Sequence, residues 1–170
     1  MKSLADVFAA LNAMRADGAI ENYAVGGALA ALFHAEVTRT YDVDVFVVQG
    51  GEALGALTTM EKLYEWCRAR GYEPKREHVL IHGVPVQFLS GEVGLEREAV
   101  DRATEIDYRG VSVRVMAPEH LVALFVRAGG ARRRERIATL LDAGVVDRAR
   151  LDEILRRHGI AGGLAGEGES

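Results

Sequence analysis

The sequence predicts an α/β fold in which helices flank a small mixed β-sheet, with a helical C-terminal part. Three observations lead to this prediction: short apolar strands alternate with helices over the first 71 residues, two β-hairpins occupy the middle of the chain, and only helical periodicity follows Pro118. Such an order of elements is typical of a sheet covered by helices. We expect one domain over residues 1–158, with its helical part beginning at about residue 118.

The first 71 residues contain three helical and two extended patterns. Apolar residues recur at helical spacing from Leu4 to Met14, and Ser3 before them is an N-cap candidate. The apolar run before Gly26-Gly27 is typical of a strand, and the run after this pair is typical of a helix. Gly71 ends the last of these patterns. The predicted elements are a helix over 3–16, a strand over 22–26, a helix over 28–34, a strand over 42–48 and a helix over 52–70.

Turn residues divide the rest of the chain into hairpins and helices. His82-Gly83 separates strands over 76–81 and 84–89, and Arg109-Gly110 separates strands over 104–108 and 111–115. Pro118 suits the first turn of a helix. The remaining predicted helices cover 92–101, 118–128, 131–142 and 147–157. The tail over 159–170 has five glycines and little apolar content, so we expect it to be disordered.

Composition and charge narrow the possible classes of protein. The chain has 170 residues, a net charge of −4 and a pI near 5.8. Nucleic-acid-binding proteins usually carry a basic surplus, so this charge does not suggest nucleic-acid binding, although it does not exclude it. A single cysteine, Cys67, leaves neither an intramolecular disulfide nor a cysteine-rich metal site. The sequence shows neither a signal peptide nor the roughly 18–20 apolar residues of a membrane span. We therefore expect a soluble cytoplasmic protein.

Two carboxylates stand at the start of the second predicted strand. Asp42 and Asp44 are two residues apart, so on a strand they point to one face, while Val43, Val45 and Val47 point to the other. Paired carboxylates repel each other and are costly to bury unless a cation is bound. Mg²⁺ prefers carboxylate oxygens and keeps positions open for phosphates. The alternative is that both side chains are simply solvated at the exposed end of the strand.

A glycine pair precedes the first short helix. Gly26-Gly27 would allow a phosphate to approach the backbone, and the N-terminus of the following helix offers free N–H groups and a favourable dipole. Taken alone, the pair indicates only a tight turn. A phosphate cradle followed closely by two carboxylates, however, is a suitable arrangement for a Mg²⁺-nucleoside triphosphate.

The combination of Tyr23-Ala24-Val25-Gly26-Gly27 with Thr40-Tyr41-Asp42-Val43-Asp44-Val45-Phe46 resembles the polymerase-β-type nucleotidyltransferase superfamily. Within it, the sequence is most similar to the bacterial AbiEii-like group, which includes toxins of type IV toxin–antitoxin systems. The segment over 113–124 looks like that group's strand-then-helix segment. The resemblance covers roughly residues 20–140.

The resemblance implies a chemistry and a set of site residues. Gly26 and Gly27 would hold the triphosphate of a nucleoside triphosphate, and Asp42 and Asp44 would ligate Mg²⁺ as catalytic residues. Thr40 stands where the family often has serine or threonine, and would steady the loop or contact phosphate. A nucleotidyl group would pass to a hydroxyl on a protein, an RNA or a small molecule, and an antitoxin partner is implied for a toxin.

The sequence departs from the family pattern at three positions. The family's third carboxylate, on a neighbouring strand, corresponds to Gln87, which cannot act as a base at neutral pH. The AbiEii-like group carries a lysine in the helix after the proline-containing segment, and the nearest residue here is Phe125. Glu135 matches the acidic position that follows in that group only approximately. Two alternatives therefore stay open: an enzyme, or a catalytically degenerate module that binds a nucleotide or a protein. Asp107 is a candidate substitute for the third carboxylate.

Other polar residues receive structural interpretations. His78 and His82 have metal-ligand spacing only on a helix, and this segment is predicted to be a strand and a turn. We interpret His34 as a helix C-terminal partner, and the run from Arg132 to Arg136 as a mainly solvated face.

Overall fold

The computed structural model describes residues 4–34, 42–49 and 56–160. The first part of the chain forms α1 (Leu4–Ala16), β1 (Asn22–Gly26), α2 (Gly27–His34), β2 (Val43–Val48) and α3 (Ala56–Ala69). The middle forms β3 (Glu73–Lys75), β4 (His78–Ile81), β5 (Val84–Ser90), α4 (Gly94–Asp101), β6 (Thr104–Tyr108) and β7 (Val111–Val115). The C-terminal part forms α5 (Pro118–Ala128), α6 (Ala131–Asp142) and α7 (Arg148–Arg157).

The described strands form one seven-stranded mixed sheet in the order β3-β4-β5-β2-β1-β7-β6. β2 lies at its centre, antiparallel to β1 and parallel to β5. The two hairpins lie on opposite sides of this centre, because β4 extends the sheet beyond β5 while β7 and β6 extend it beyond β1. The sheet thus brings the end of β1, the start of β2 and the start of β5 side by side.

The predicted fold class is confirmed, and one strand was missed. β3 carries Glu73, Pro74 and Lys75, all exposed, so it has no apolar alternation, and its proline is tolerated because the strand is at the sheet edge. The strand predicted over 76–81 begins only at His78, since Arg76 and Glu77 form the turn of this extra hairpin. The predicted helix over 92–101 begins at Gly94. The N-cap at Ser3, the start of the predicted helix over 52–70 and most of the tail over 159–170 lie outside the described residues.

The core lies between the sheet and the helices that cover it. Every second residue of β2 is buried, namely Val43, Val45 and Val47, and the large buried side chains around them include Phe8, Tyr23 and Met116. At roughly 25 cal/mol per Å² of apolar surface, this burial is the main source of stability. No helix in the described part of the chain is long and apolar enough to cross a membrane.

A polar cluster joins the C-terminal helices to α4. His120 of α5 is fully buried, and neither ring nitrogen has a hydrogen-bond partner within the described protein. Its Nε2 lies 3.7 Å from a Glu98 carboxylate oxygen, which lies 2.5 Å from Nε2 of His158, and Glu98 also pairs with Arg157. Burial raises the pKa of Glu98, but the hydrogen bond from His158 and the charge of Arg157 outweigh this and lower it overall. Glu98 is therefore the ionised centre of the cluster.

Replacement of His120 with leucine should stabilise the fold, and more so in acid. Burial lowers the pKa of His120; the charges of Glu98 and Glu119 oppose this, and Arg150 and Arg102 add to it. The unfolded chain therefore takes up this proton first, and stability falls as the pH drops below about 6.5. We expect His120→Leu to gain about 1 kcal/mol at pH 7.5, because it removes two unpartnered nitrogens. The gain should grow at pH 5.0. Urea unfolding at both pH values measures the change in the free energy of unfolding. A gain of the same size at both pH values, or a loss of stability at both, would contradict this interpretation.

Candidate functional site

The turn between β1 and α2 has no room for side chains. A Cβ on Gly26 would lie 2.7 Å from Cε2 of Phe46. A Cβ on Gly27 would overlap Oδ2 of Asp44 and lie 3.0 Å from its Cγ, and Gly27 has a φ of +61°. The left-handed conformation and the close carboxylate both require glycine here. The carboxylate of Asp44 thus lies against the backbone of Gly27, at the start of α2.

The register of the sheet places three of the predicted site residues side by side. Asp44 is paired with Gly26 across the antiparallel ladder and with Gln87 across the parallel one. Asp44 and Gln87 are both half-buried, and Asp42, just before β2, is more exposed. The buried valines of β2 point to the other face, so the predicted alternation holds. Gly26, Gly27, Asp42, Asp44 and Gln87 therefore form one cluster at this end of the sheet.

Asp44 is the electrostatically strained member of the cluster. Burial raises the pKa of its carboxyl, and repulsion by Asp42 raises it further. The charges of His78, Arg136 and Arg133 act in the opposite direction but do not cancel the rise. A cation or an additional donor beside Asp44 would relieve both burial and repulsion. Perturbed carboxylates of this kind are more frequent at functional sites than elsewhere.

His78 is a site residue that the sequence interpretation missed. Its Nε2 lies 3.6 Å from a carboxylate oxygen of Asp42. Val79 pairs with Val86 across the β4–β5 hairpin, so one further step of the register brings His78 opposite Gln87. The predicted turn at His82-Gly83 already fixes this pairing, and that was the signal available in the sequence. The expected strand and turn at His78 and His82 are nevertheless present.

Two arginines of the basic run also act on this site. α6 packs against α2, and the charges of Arg133 and Arg136 lower the pKa of Asp44. Arg132, Arg133 and Arg134 are exposed, and Arg136 is half-buried. The prediction of a mainly solvated face therefore holds for most of the run, and the packing of α6 against α2 half-buries Arg136.

Several other predicted residues lie elsewhere. Asp107 is on β6, at the opposite edge of the sheet, where its side chain accepts a hydrogen bond from the Gly110 N–H at 3.1 Å. Phe125 is buried in the core, and His34 donates from Nε2 to the Met116 carbonyl at 2.7 Å. Burial raises the pKa of Cys67 to about 11, which makes it a poor nucleophile. Thr40 lies outside the described residues.

The donor set fits a magnesium ion that is shared with a phosphate ligand. Among the described residues, no three histidine, cysteine, aspartate or glutamate side chains are arranged to hold a metal by themselves. Mg²⁺ needs no such cage, because it is commonly bound by one or two carboxylates, substrate phosphates and water. Asp42 and Asp44 would supply the carboxylates. The pKa of Asp44 is raised because the charges of His78, Arg136 and Arg133 do not offset burial and the repulsion by Asp42.

Replacement of Gly27 with alanine should damage the site more than the fold. The new Cβ would displace the Asp44 carboxylate, and the positive φ would cost about 1 kcal/mol or more. Gly18→Ala is the matched control, because Gly18 has a φ of +78° and a Cβ added there would meet nothing within 4 Å. We expect similar losses of stability in urea unfolding, but a loss of Mg²⁺-nucleotide affinity of about tenfold or more, roughly 1.4 kcal/mol, only for Gly27→Ala. Equal affinities in the two variants would show that the carboxylate beside Gly27 does not matter.

No protein-family model matches the sequence, and the search of curated proteins gives no significant match. Solved structures do match. An antigenic nucleotidyltransferase-like protein from Paracoccidioides brasiliensis aligns with a TM-score of 0.59 at 17% identity, covering 91% of this chain and 86% of that one. The antibiotic-resistance factor ANT(2'')-Ia aligns with a TM-score of 0.53 at 14% identity in its solution structure, covering 92% of this chain and 91% of that one.

A crystal structure of ANT(2'')-Ia in complex with adenylyl-2''-tobramycin gives a TM-score of 0.57 at 10% identity, covering 93% of this chain and 98% of that one. At such low identities, these matches concern the fold. They show that the chain has a nucleotidyltransferase-type fold over nearly its whole length.

Proposed function

We propose that the protein binds a Mg²⁺-nucleoside triphosphate at the β1–α2 turn and transfers its nucleotidyl group to a hydroxyl acceptor. One observation carries this proposal: the side-chain-free turn at Gly27 lies directly against the carboxylate of Asp44. The N-terminus of α2, which suits phosphate, and a carboxylate that suits a cation are thus adjacent, on a fold shared with nucleotidyltransferase-like proteins.

Each side chain of the site has a part in this binding. The N–H groups at Gly27 and at the start of α2 would receive the phosphates, and Asp42 and Asp44 would hold the metal. Bound Mg²⁺ supplies charge stabilisation for the phosphoryl oxygens. Arg133 and Arg136, whose charges already reach Asp44, would neutralise the phosphate tail from the side of α6. Thr40 would contact phosphate or steady the loop before Asp42.

The neighbouring strands position the carboxylates and the acceptor. His78 lies close enough to Asp42 to orient it, and Gln87 offers an amide oxygen and two N–H donors beside Asp44. Gln87 can orient an acceptor hydroxyl but cannot remove its proton. We therefore expect slow transfer, because a positioned general base typically contributes about 10²–10⁴-fold in rate.

A transfer assay tests the proposal. The purified protein is incubated with each α-labelled nucleoside triphosphate and Mg²⁺, together with candidate protein, RNA and small-molecule acceptors. We expect label transfer with pyrophosphate release that needs Mg²⁺ and is absent in Asp42→Ala. Label transfer that is unchanged in Asp42→Ala would contradict the assignment of this site.

A second function is a nucleotide- or protein-binding module that has lost catalysis. Gln87 at the third carboxylate position and the buried Phe125 favour it, since neither can replace the charged groups of the related enzymes. It predicts saturable Mg²⁺-nucleotide binding with no transfer to any acceptor, and robust transfer by the wild type would exclude it.

A toxin-like role with an antitoxin partner is a further proposal that follows from the AbiEii-like resemblance. It predicts growth arrest on expression in bacteria, relieved by Asp44→Asn. Growth arrest that persists in Asp44→Asn would contradict it.

A further inference from the structure

A cavity of about 420 Å³ lies between the first carboxylate of the site and the β3–β4 hairpin. We call it the edge cavity, and its described lining residues are Asp42, Lys75, Arg76, Glu77, His78, Leu80 and Pro85. Nε2 of His78 lies 3.6 Å from a carboxylate oxygen of Asp42, so the hairpin reaches this carboxylate directly. The edge cavity therefore adjoins one of the two proposed metal ligands.

The strand register places the edge cavity on the same face of the sheet as Asp44. Asp44 pairs with Gln87 of β5, and Lys75 of β3 pairs with His78 of β4. Gln87 and His78 lie opposite each other, one step beyond the Val79–Val86 pair. Because the side chains of paired residues point to the same face, these four residues form one row across the sheet.

The alternation of side chains separates the edge cavity from a second cavity. Leu80 and Pro85 pair with each other, two residues along their strands from the members of that row, so they share its face. The second cavity, of about 330 Å³, lies against α3 and is lined by Val79, which belongs to the face of the buried valines. The edge cavity thus lies on the carboxylate face, with an apolar floor of the half-buried Leu80 and Pro85.

The edge cavity and the β1–α2 turn flank the two carboxylates from opposite sides. β1 pairs with one edge of β2 and β5 with the other, and β4 and β3 follow beyond β5. In phosphoryl transfer the attacking and leaving oxygens lie roughly in line, on opposite sides of the phosphorus. A nucleoside triphosphate with its terminal phosphates at Gly27 and its α-phosphate beside Asp42 and Asp44 would therefore present the side open to attack to the edge cavity.

Two cations of the edge cavity are available for a ligand. Lys75 and Arg76 form no ion pair or hydrogen bond with any residue in the described part of the chain. The two acids of the lining, Asp42 and Glu77, lie 3.6 Å and 3.7 Å from ring nitrogens of His78. Bound Mg²⁺ would take up the charge of Asp42, which leaves a positive surplus at the hairpin end. Ammonium and guanidinium groups without a protein partner can donate hydrogen bonds to a bound anion.

We propose that the edge cavity binds the acceptor, and that the acceptor is a small polyhydroxy anion of the sugar phosphate class. The assignment rests on the proposed transferase function. Lys75 and Arg76 would bind the phosphate, the apolar floor would pack against the carbon skeleton, and a hydroxyl would point towards Asp42. Its oxygen would bond to the α-phosphorus while the bond from that phosphorus to the bridging oxygen breaks and pyrophosphate leaves. The hydroxyl proton passes to water, since Gln87 cannot take it up.

The same lining argues against other acceptors. The volume of about 420 Å³ is in the range of small-molecule sites, and no tyrosine, phenylalanine or tryptophan is among the described lining residues, so a nucleobase gains little stacking. An aminoglycoside such as tobramycin carries several ammonium groups, which Lys75 and Arg76 would repel. We therefore expect this protein to differ in acceptor class from the structural relative that was solved with adenylyl-2''-tobramycin.

NMR titration of the ¹⁵N-labelled full chain with glucose 6-phosphate tests the proposal, with glucose, gluconate, inorganic phosphate and tobramycin as comparison ligands. The test variant is Lys75→Glu, because Lys75 lines the edge cavity and not the second one. Arg68→Glu is the matched control, since it reverses the charge of another exposed cation that lines only the second cavity. We expect saturable shifts in the amides of residues 73–81, with affinity about tenfold weaker or worse in Lys75→Glu and unchanged in Arg68→Glu.

Several results would overturn the proposal. Shifts centred on α3, equal affinities in the two variants, or a comparison ligand that binds as tightly as glucose 6-phosphate would each do so. Titration with each Mg²⁺-nucleoside triphosphate separates this proposal from the proposed function. If a nucleotide shifts Gly27 while glucose 6-phosphate leaves 73–81 unchanged, only the acceptor assignment fails. If glucose 6-phosphate binds at 73–81 but no Mg²⁺-nucleoside triphosphate binds at Gly27, the acceptor role fails together with the transferase.

Discussion

Asparagine in place of Asp44 is expected to remove Mg²⁺-nucleotide binding and, at the same time, to stabilise the metal-free protein. Asp44 is half-buried, lies against Gly27 and is repelled by Asp42. The substitution keeps its shape and removes its charge, so the cation loses a ligand. Loss of a charge-assisted contact corresponds to about 10–100-fold in affinity, which removes binding at ligand concentrations that just saturate the wild type.

The gain in stability has a defined pH dependence. Burial, followed by the charge of Asp42, raises the pKa of Asp44 in the folded protein. The folded state therefore binds this proton more tightly than the unfolded chain, and stability is lost as the pH rises through the raised pKa. We expect Asp44→Asn to be more stable than the wild type at pH 7, with the difference disappearing below about pH 3.8.

Thermal or urea unfolding with and without Mg²⁺-nucleotide measures both effects. Asp107→Asn is the matched control, because it makes the same change at the far edge of the sheet. Ligand should stabilise the wild type and the control but not Asp44→Asn. An Asp44→Asn variant that is less stable at pH 7, or that still responds to Mg²⁺-nucleotide, would contradict the proposed role of this carboxylate.

Glutamate in place of Gln87 is expected to raise the transfer rate by about 10²–10⁴-fold, the usual contribution of a positioned general base. Gln87 lies opposite Asp44 in the parallel ladder, so the new carboxylate would complete a three-carboxylate site. It would also add repulsion, so the metal-free variant should be less stable and should regain stability with Mg²⁺. Gln87→Met, which has similar length and no oxygen, is the control. A Gln87→Glu variant that binds Mg²⁺-nucleotide normally but transfers no faster would show that the missing base is not the limiting feature.

Local patterns predicted the centre of the site. Strand alternation was enough to place Asp42 and Asp44 on one face, and the turn at Gly26-Gly27 follows from two adjacent glycines between a strand and a helix. The match of Gln87 to the third carboxylate position needed the family resemblance, and the β2–β5 register agrees with it.

Long-range packing accounts for what was not predicted. The charge of Arg136 acts on Asp44 because α6 packs on α2, and no local pattern distinguishes this half-buried arginine from its exposed neighbours. Asp107 lies in a hairpin like that of His78, but the sheet order sends the two hairpins to opposite edges. The edge strand β3 was not predicted because all of its side chains are exposed, so its sequence has no apolar alternation. His78 alone could have been found from the sequence, through the register that the turn at His82-Gly83 imposes.

The central claim is that the junction of Gly27 and Asp44 is the Mg²⁺-nucleotide site, and NMR titration of the ¹⁵N-labelled protein with each Mg²⁺-nucleoside triphosphate tests it most directly. The structure predicts saturable shifts for at least one nucleotide, largest at Gly26, Gly27 and Asp44, that disappear without Mg²⁺ and in Asp44→Asn. Saturable shifts located elsewhere, or no saturable shift with any of the nucleotides, would contradict it.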